Sequence, residues 1–387
     1  KSLHVCHGPG KARSMREPRQ LFPITAHMVY LNCAATSPLA LPVKEAIDKC
    51  VLDQFGRSNQ EFFDEWRECE GRVRAKLARL VGGTPQEIAL LGNTSDGLAT
   101  VASGLAWSEG DSVVTCSIEF PANVYPWLSL RERYGVQVRI VPARDGRVLA
   151  EDIMVAADDT TRVIAVSYVQ WTAGFRMDLE TIGQFCRERG IYFLVDTIQA
   201  LGGLAFDVSR FNVDFMSAGS YKYLLGPVSV GCFYCREELL GDLWPSRVGH
   251  RNVVDDMSLD YKFELWPSAQ RFEAGAMNYL GLHGLDASLD IIEKAGVENI
   301  ERHVLRLTDL LIDRLQEKGY RVVSSLFPEE RSGIVSFAHP KYESEELLQR
   351  LSEAGIVVSL REGAIRASAH LYNNEEDIER LVEALPQ

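Results

Sequence analysis

Lys222 stands at the centre of the stretch Asp214 to Gly231, DFMSAGSYKYLLGPVSVG, between a run of small residues and a Gly226-Pro227 turn. That is a poor place for a solvated ammonium. Burial penalises the charged form, so an amine held there loses its proton more readily than a free lysine and becomes a nucleophile for a carbonyl carbon, as Schiff-base lysines do. The competing reading is a lysine whose stem lies along a strand end while its head reaches water.

Three other strand ends carry groups that complement such an amine. Gly92-Asn93-Thr94-Ser95-Asp96-Gly97 passes from a strand into a helix and leaves free N–H groups beside two hydroxyls, which is an anion cradle as well as the usual make-up of a helix cap. Ile191 to Val195, IYFLV, is continuously apolar and ends on Asp196, followed by Thr197-Ile198-Gln199. A carboxylate buried there needs a partner in space, and a protonated heterocyclic nitrogen would serve; the commoner fate of such an Asp is a helix cap. Glu119-Phe120-Pro121 sets an aromatic face just past a third strand end, where it could cover a planar ring or join the core. An amine for an aldehyde, a cradle for a phosphate, a carboxylate for a ring nitrogen and an aromatic plate meet the needs of pyridoxal 5'-phosphate. Nucleotide loops are excluded, since GNTSDG lacks the Walker lysine and no G-x-G-x-x-G follows the first strand.

The elements that must position these residues alternate. Helical patterns cover Pro42 to Arg57 and Phe63 to Val81. Strands at Glu87–Leu91, Val113–Ser117, Val136–Val141, Val163–Val169, Ile191–Val195, Phe215–Ser220 and Val230–Tyr234 are then separated mostly by helices, one of them Leu179 to Arg189 with Asp178 as N-cap and Gly190 past its end. This is an α/β pattern, a mainly parallel sheet with helices on both faces, and such sheets bind ligands at the carboxyl ends of their strands. Beyond Trp266 come helices at Asn278 to Lys294 and Val297 to Lys318. Short strands follow at Arg321–Ser324, Ile334–Phe337, Ile356–Leu360 and Ala364–His370, with helices at Glu343–Ala354 and after Asn374, a small α+β unit. In Ile365 to His370 the apolar Ile365, Ala367 and Ala369 alternate with Arg366, Ser368 and His370. Arg366 is therefore expected to point away from the small unit's core; the alternative is a surface arginine on an edge strand.

Composition narrows the classes further. With 41 basic and 54 acidic residues the net charge is −13 and no basic stripe stands out, which argues against nucleic-acid or anionic-membrane partners. No apolar run approaches a transmembrane length. The eight cysteines are scattered through a long chain, as reduced thiols of a cytoplasmic protein are. Cys232 and Cys235 form a lone CxxC on a strand, where residues three apart face opposite sides, so they are expected to pack rather than bind metal, and no metal is expected elsewhere. The first 14 residues lack the apolar core of a signal peptide, and Met15 is a possible start.

Seven motifs in order, YLNCAATSP (Tyr30 to Pro38), GNTSDG, EFPANVYPW, VDTIQALGG, SYKYLLGP, RFEAGAMN (Arg271 to Asn278) and IRASAHLYNNEEDI (Ile365 to Ile378), resemble the class V aminotransferases of fold type I. That family also holds cysteine desulfurases, selenocysteine lyases, kynureninase and isopenicillin N epimerase-type enzymes. The resemblance implies a large domain at 30–265 with a mainly parallel seven-stranded sheet, a small α+β C-terminal domain with linking helices at 266–387, and an N-terminal segment at 1–29 packing near the small domain. It implies that Lys222 carries pyridoxal 5'-phosphate and moves the substrate proton, that Asp196 pairs with the ring nitrogen, and that Thr94, Ser95 and Tyr221 hold the phosphate. Gln199 and Gln170 would reach the ring's 3-oxygen, Phe120 would stack on the ring, and Arg366 with Asn32 would hold a small amino acid substrate. A homodimer is implied as well.

The sequence departs from the desulfurase pattern in three places. The ring position is Phe120 rather than histidine, the last cysteine is Cys235, and Glu362-Gly363 leaves room only for a tight turn before Arg366. An intersubunit phosphate threonine is replaced at Ala276, with Asn278 nearby. Three readings follow: an aminotransferase, which is the first expectation; a β-lyase without a persulfide cysteine, of the carbon-sulfur or kynureninase type; and a non-catalytic binding protein, against which the retention of Lys222 and Asp196 argues.

Overall fold

The computed structural model describes residues 16–387. Met15 and Cys6 lie outside the described residues. Seven strands form one sheet, in spatial order Ile88–Leu91, Gly231–Cys235, Phe215–Gly219, Tyr192–Asp196, Thr161–Ser167, Ser112–Cys116 and Gln137–Val141. Every pairing is parallel except the two made by Gly231–Cys235. The central strands are buried along almost their whole length, which is why they read as unbroken apolar runs. Separate hydrophobic clusters cover the two faces of the sheet, and Cys232 belongs to one while Cys235 belongs to the other. The CxxC pair is therefore split by the strand's own alternation, and no metal-binding group of His, Cys, Asp or Glu occurs among the described residues.

The parallel connection sends the carboxyl ends of Ser112–Cys116, Thr161–Ser167, Tyr192–Asp196 and Phe215–Gly219 to one edge of the sheet. Glu119, Phe120, Gln170, Asp196, Gln199, Tyr221 and Lys222 all follow directly from those ends. Fold and motif spacing thus agree: residues scattered over about a hundred positions are gathered by the sheet.

A second, antiparallel sheet of four strands runs in order Ser359–Arg361, Ala364–Ser368, Ile334–Ala338 and Arg321–Val322. Helices Val297–Glu317, Ser344–Glu353 and Glu375–Ala384 contribute Leu307, Leu311, Leu347, Leu351 and Leu381 to its core. The N-terminal segment packs on this unit beside the sheet: Val29–Tyr30 pairs in parallel with Ile356–Val357 as a separate two-stranded sheet, Arg19 donates to Asp377 at 2.7 Å, and the rings of Phe22 and Tyr372 lie 4.7 Å apart.

Three local expectations change. The strand expected over Ile356–Leu360 is two strands, Ile356–Val357 and Ser359–Arg361, because its halves pair with different partners. The second long helix starts at Asn59 rather than near Phe63, since Ser58 and Glu61 form a capping box in which the Ser58 N–H donates to Glu61 at 3.0 Å. A short helix, Ala150–Ala156, was not foreseen. Asp178 and Gly190 cap the helix Leu179–Arg189 as expected, with Gly190 in the left-handed region. No helix of the described residues is long and apolar enough to cross a membrane.

Candidate active site

The loop after strand Phe215–Gly219 is tied into a compact knot. The Ser220 hydroxyl donates to the Pro227 carbonyl, Gly226 N–H donates to Ser220 at 2.9 Å, and Leu225 N–H donates to Lys222 at 3.0 Å with Leu225 at φ 59°. The Gly-Pro turn serves this knot, and the knot holds Lys222 inside. Its side chain is buried, makes no ion pair among the described residues, and its amine is pushed down to about 8, burial being the main cause. Lys222 therefore does not snorkel to water.

Asp196 ends the neighbouring strand, fully buried, with the Ile198 N–H donating to Oδ1 at 2.9 Å. Burial pushes its carboxyl up to about 7, and the negative charge of Glu119 adds to the effect. An acid with so little compensation is arranged for a cation that arrives from elsewhere.

Thr94 opens the helix Thr94–Gly104, which Asn93 caps by accepting the Asp96 N–H at 3.0 Å. Its hydroxyl is buried without a hydrogen-bond partner. A Cβ built on Gly219 would lie 3.3 Å from that hydroxyl and 3.2 Å from the Tyr221 ring, so Thr94, Gly219 and Tyr221 meet at one point, with Ser95 exposed on the next residue. Phe120 is 45% exposed, and its ring centroid lies 5.9 Å from the Lys222 amine and 5.4 Å from Trp171, edge to face. It is a surface of the site rather than core.

Arg366 is fully buried, and its strand lies between two others, so it is not a surface arginine on an edge. Its neighbours Ile365 and Ala367 face the small core, while its guanidinium donates to the Trp171 carbonyl at 2.5 Å and to Ser359 at 3.2 Å. It makes no ion pair among the described residues, and burial lowers its pKa to about 10. The same strand face ties two other active-site segments: Ser368 accepts the Ala34 N–H at 2.9 Å, and His370 meets the Tyr223 carbonyl at 2.9 Å. Because Leu371 N–H donates to His370 Nδ1, the Nε2 proton is the one given to Tyr223.

Four buried polar atoms around this edge lack partners: Asn32 Oδ1, Thr94 Oγ1, Gln170 Oε1 and Gln199 Oε1. Together with the unpaired Lys222, Asp196 and Arg366 they fit a ligand that carries a phosphate, a basic ring nitrogen and an aldehyde. One sequence assignment is modified. Both N–H groups of Gln170 are already directed, at Glu119 (2.6 Å) and Cys116 (3.5 Å), so Gln170 has no donor left for the ring's 3-oxygen, whereas Gln199 gives one N–H to Ala34 at 3.1 Å and keeps the other. Asn278 caps the helix Tyr279–Ala295 by accepting the Gly281 N–H at 3.0 Å and does not stand free.

Sequence reasoning passed over Glu119, His370 and Arg361. Glu119 collects four donors, as described below. Arg361 is half-buried without an ion pair among the described residues, and its charge helps to lower both Lys222 and Arg366. Between Arg361 and Ala364 the turn has only Glu362 and Gly363, at φ 48° and 72°. The tight turn expected there is present.

The family model described as aminotransferase class V matches residues 29–381. A probable cysteine desulfurase of Methanothermobacter thermautotrophicus is 33% identical over 408 residues, covering 95% of this chain and 96% of that protein. An uncharacterised aminotransferase of Bacillus subtilis is 26% identical, covering 95% of this chain and 96% of that protein. Among solved structures, the apo cysteine desulfurase of Thermococcus onnurineus NA1 superposes with a TM-score of 0.89 at 26% identity, covering 97% of this chain and 98% of that one.

Proposed function

The chain belongs to the class V aminotransferase family, a family of pyridoxal phosphate enzymes, and within it we propose a lyase that cleaves a Cβ–sulfur bond of a small amino acid without an enzyme cysteine as sulfur acceptor. One observation carries the choice of route. All seven cysteines among the described residues are buried, and a thiol that receives sulfur must be reachable and readily ionised. Cys33, the cysteine whose charge would act on Lys222, is fully buried and its thiol is pushed up to about 12 by burial. The named activity of the relatives supports sulfur chemistry over plain transfer.

Thr94, Ser95 and Tyr221 would hold the phosphate, Asp196 the ring nitrogen, Gln199 the 3-oxygen and Phe120 one ring face, with Lys222 as the covalent anchor. When bound, the cofactor supplies an electron sink that makes the substrate Cα–H acidic. Arg366 takes the substrate carboxylate in a fork of N–H donors, and Asn32, whose backbone bridges to Ser368 on the same strand, would assist it. The Lys222 amine, poised near neutrality, takes the Cα proton. The Cβ–S electron pair leaves with sulfur, and water converts the three-carbon remainder to pyruvate and ammonia. Phe120 has no acidic proton to give the leaving group, so sulfur departs as an anion into solvent.

The second reading is an aminotransferase, supported by the family description and by the name of the Bacillus relative. Purified protein loaded with pyridoxal phosphate should show a visible band that Lys222→Ala abolishes; its persistence in the variant sinks the cofactor assignment. Cysteine should then yield pyruvate, ammonia and sulfide in equal amounts, and S-substituted cysteines pyruvate, ammonia and the corresponding thiol. Amino-group transfer to an oxoacid without sulfur release would establish the second reading instead.

The reading includes a homodimer in the cytoplasm. Phe55, Met257, Leu259 and Tyr261 are each at least 80% exposed, a covering expected of a second copy. Light scattering of the purified protein tests the assembly.

A further inference from the structure

Glu119 sits three residues past the strand Ser112–Cys116, directly before Phe120 in sequence, and is buried. Four donors converge on it. Oε1 accepts the Ser167 N–H and the Gln170 side-chain amide, each at 2.6 Å, and Oε2 accepts the Ser167 hydroxyl at 2.5 Å and the Asn123 amide at 3.1 Å. The Cys116 thiol adds a weak fifth contact at 3.6 Å. No arginine or lysine pairs with it among the described residues, so a carboxylate in this position is held entirely by neutral dipoles. A structural core would more cheaply contain an apolar residue, because four committed polar groups are needed to compensate one charge.

The partners show what the arrangement acts upon. Ser167 is the direct cross-strand neighbour of Asp196, so Glu119 and Asp196 occupy adjacent positions on the same edge of the sheet. Their charges oppose each other, and Asp196 is pushed up partly for that reason. Two buried carboxylates therefore stand together where the fold places one ring nitrogen. Gln170 is meanwhile fixed in one rotamer and one amide orientation, since its N–H groups face a carboxylate and a thiol and its oxygen alone is free.

We propose that Glu119 is a positioning residue that locks Gln170 and adds a second negative charge behind Asp196, so that the site selects a cofactor whose ring nitrogen carries a proton. The assignment rests on the pyridoxal phosphate reading above. Nothing in it requires Glu119 to touch substrate or cofactor.

The test uses Glu119→Gln, which keeps size and removes charge, Glu119→Asp, which keeps charge, and Gln170→Ala, which removes the locked amide alone. Dissociation constants are measured for pyridoxal phosphate and for its carbocyclic analogue, in which CH replaces the ring nitrogen. Wild type should prefer pyridoxal phosphate. Glu119→Gln should reduce that preference about tenfold, the size of one charge acting through roughly 10 Å of protein, while Glu119→Asp and Gln170→Ala should retain it. Equal weakening for both ligands in Glu119→Gln would make Glu119 merely structural and overturn the proposal. If Glu119→Gln does not fold, loss of the preference in Gln170→Ala, where the charge is still present, overturns it. Failure of wild type to bind pyridoxal phosphate through Lys222 would instead remove the functional reading itself.

Discussion

Replacing Arg366 by Met probes the carboxylate site through stability and activity at once. In the free protein Arg366 is 1% exposed and its guanidinium makes no ion pair among the described residues, and its pKa is lowered to about 10, with burial the first cause and the charge of Arg361 the second. A cation whose folded pKa lies below its unfolded value destabilises the fold at every pH below the folded pKa, so the full cost of about 3 kcal/mol applies at neutrality. Against it stand two hydrogen bonds, to Trp171 and Ser359, worth about 1.5–3 kcal/mol each as charged donors. Removing all three terms should lower stability by between about 0 and 3 kcal/mol, a few degrees of melting temperature for a chain this size. Substrate binding should suffer far more. Loss of two charge-assisted bonds to a carboxylate costs about 3–5 kcal/mol, a fall of roughly two to three and a half orders of magnitude in kcat/KM. Thermal melts of the cofactor-free protein and kinetics with cysteine give the two numbers, and cysteamine, which lacks the carboxylate, is the control on which wild type and variant should agree. A variant that fails to fold, or that keeps kcat/KM within tenfold, refutes the reasoning. So does an equal loss on cysteamine.

Asp196→Asn should stabilise the cofactor-free protein at pH 8 by about 2–4 kcal/mol, because a carboxyl raised to about 7 stabilises the fold only below its unfolded pKa and loses that contribution as pH rises through 7. Melts at pH 4 and pH 8 check the sign, since the gain should vanish at the lower pH. Gly219→Ala places a methyl 3.2–3.3 Å from Tyr221 and Thr94, and should weaken pyridoxal phosphate binding about tenfold while lowering stability by about 1 kcal/mol, as read by titration and calorimetry. Treatment of the native enzyme with an alkylating agent should leave Cys33 and the other six described cysteines unlabelled by mass spectrometry and activity unchanged; inactivation coupled to labelling of one of them would restore an enzyme thiol to the mechanism. With Phe120 unable to protonate the departing sulfur, kcat for a series of S-substituted cysteines should fall as the leaving thiol becomes more basic, and a flat dependence would show that a proton donor has been overlooked.

How far the site could be read from sequence follows from how each residue is specified. Lys222, Asp196, Phe120 and Thr94 each lie within four residues of a strand end, and a parallel sheet sends such ends to one edge. Locating the strands was therefore enough to assemble them. Arg366 was readable through alternation, because Ile365 and Ala367 face the small core and leave the arginine the opposite side. The split at Val358 was not readable, because it depends on Val29–Tyr30, more than three hundred residues away, pairing with only one half of the segment. Glu119 failed for a related reason. Its donors Ser167 and Gln170 lie 48 and 51 positions downstream, and nothing near EFPAN distinguishes a carboxylate facing solvent from one facing four donors. A glutamate in a loop just past a strand end is ordinarily exposed, so the sequence prior pointed the wrong way until the neighbouring strand was in place. The same logic separates Gln170 from Gln199. Both follow strand ends and both lie buried beside the site, yet the committed amide of Gln170 and the spare N–H of Gln199 differ only through partners contributed by other strands. Identity and position of an active-site residue can thus be local properties of a sequence, while its remaining hydrogen-bonding capacity is a property of the assembled edge, and it is that capacity which decides what the residue can still do for a ligand.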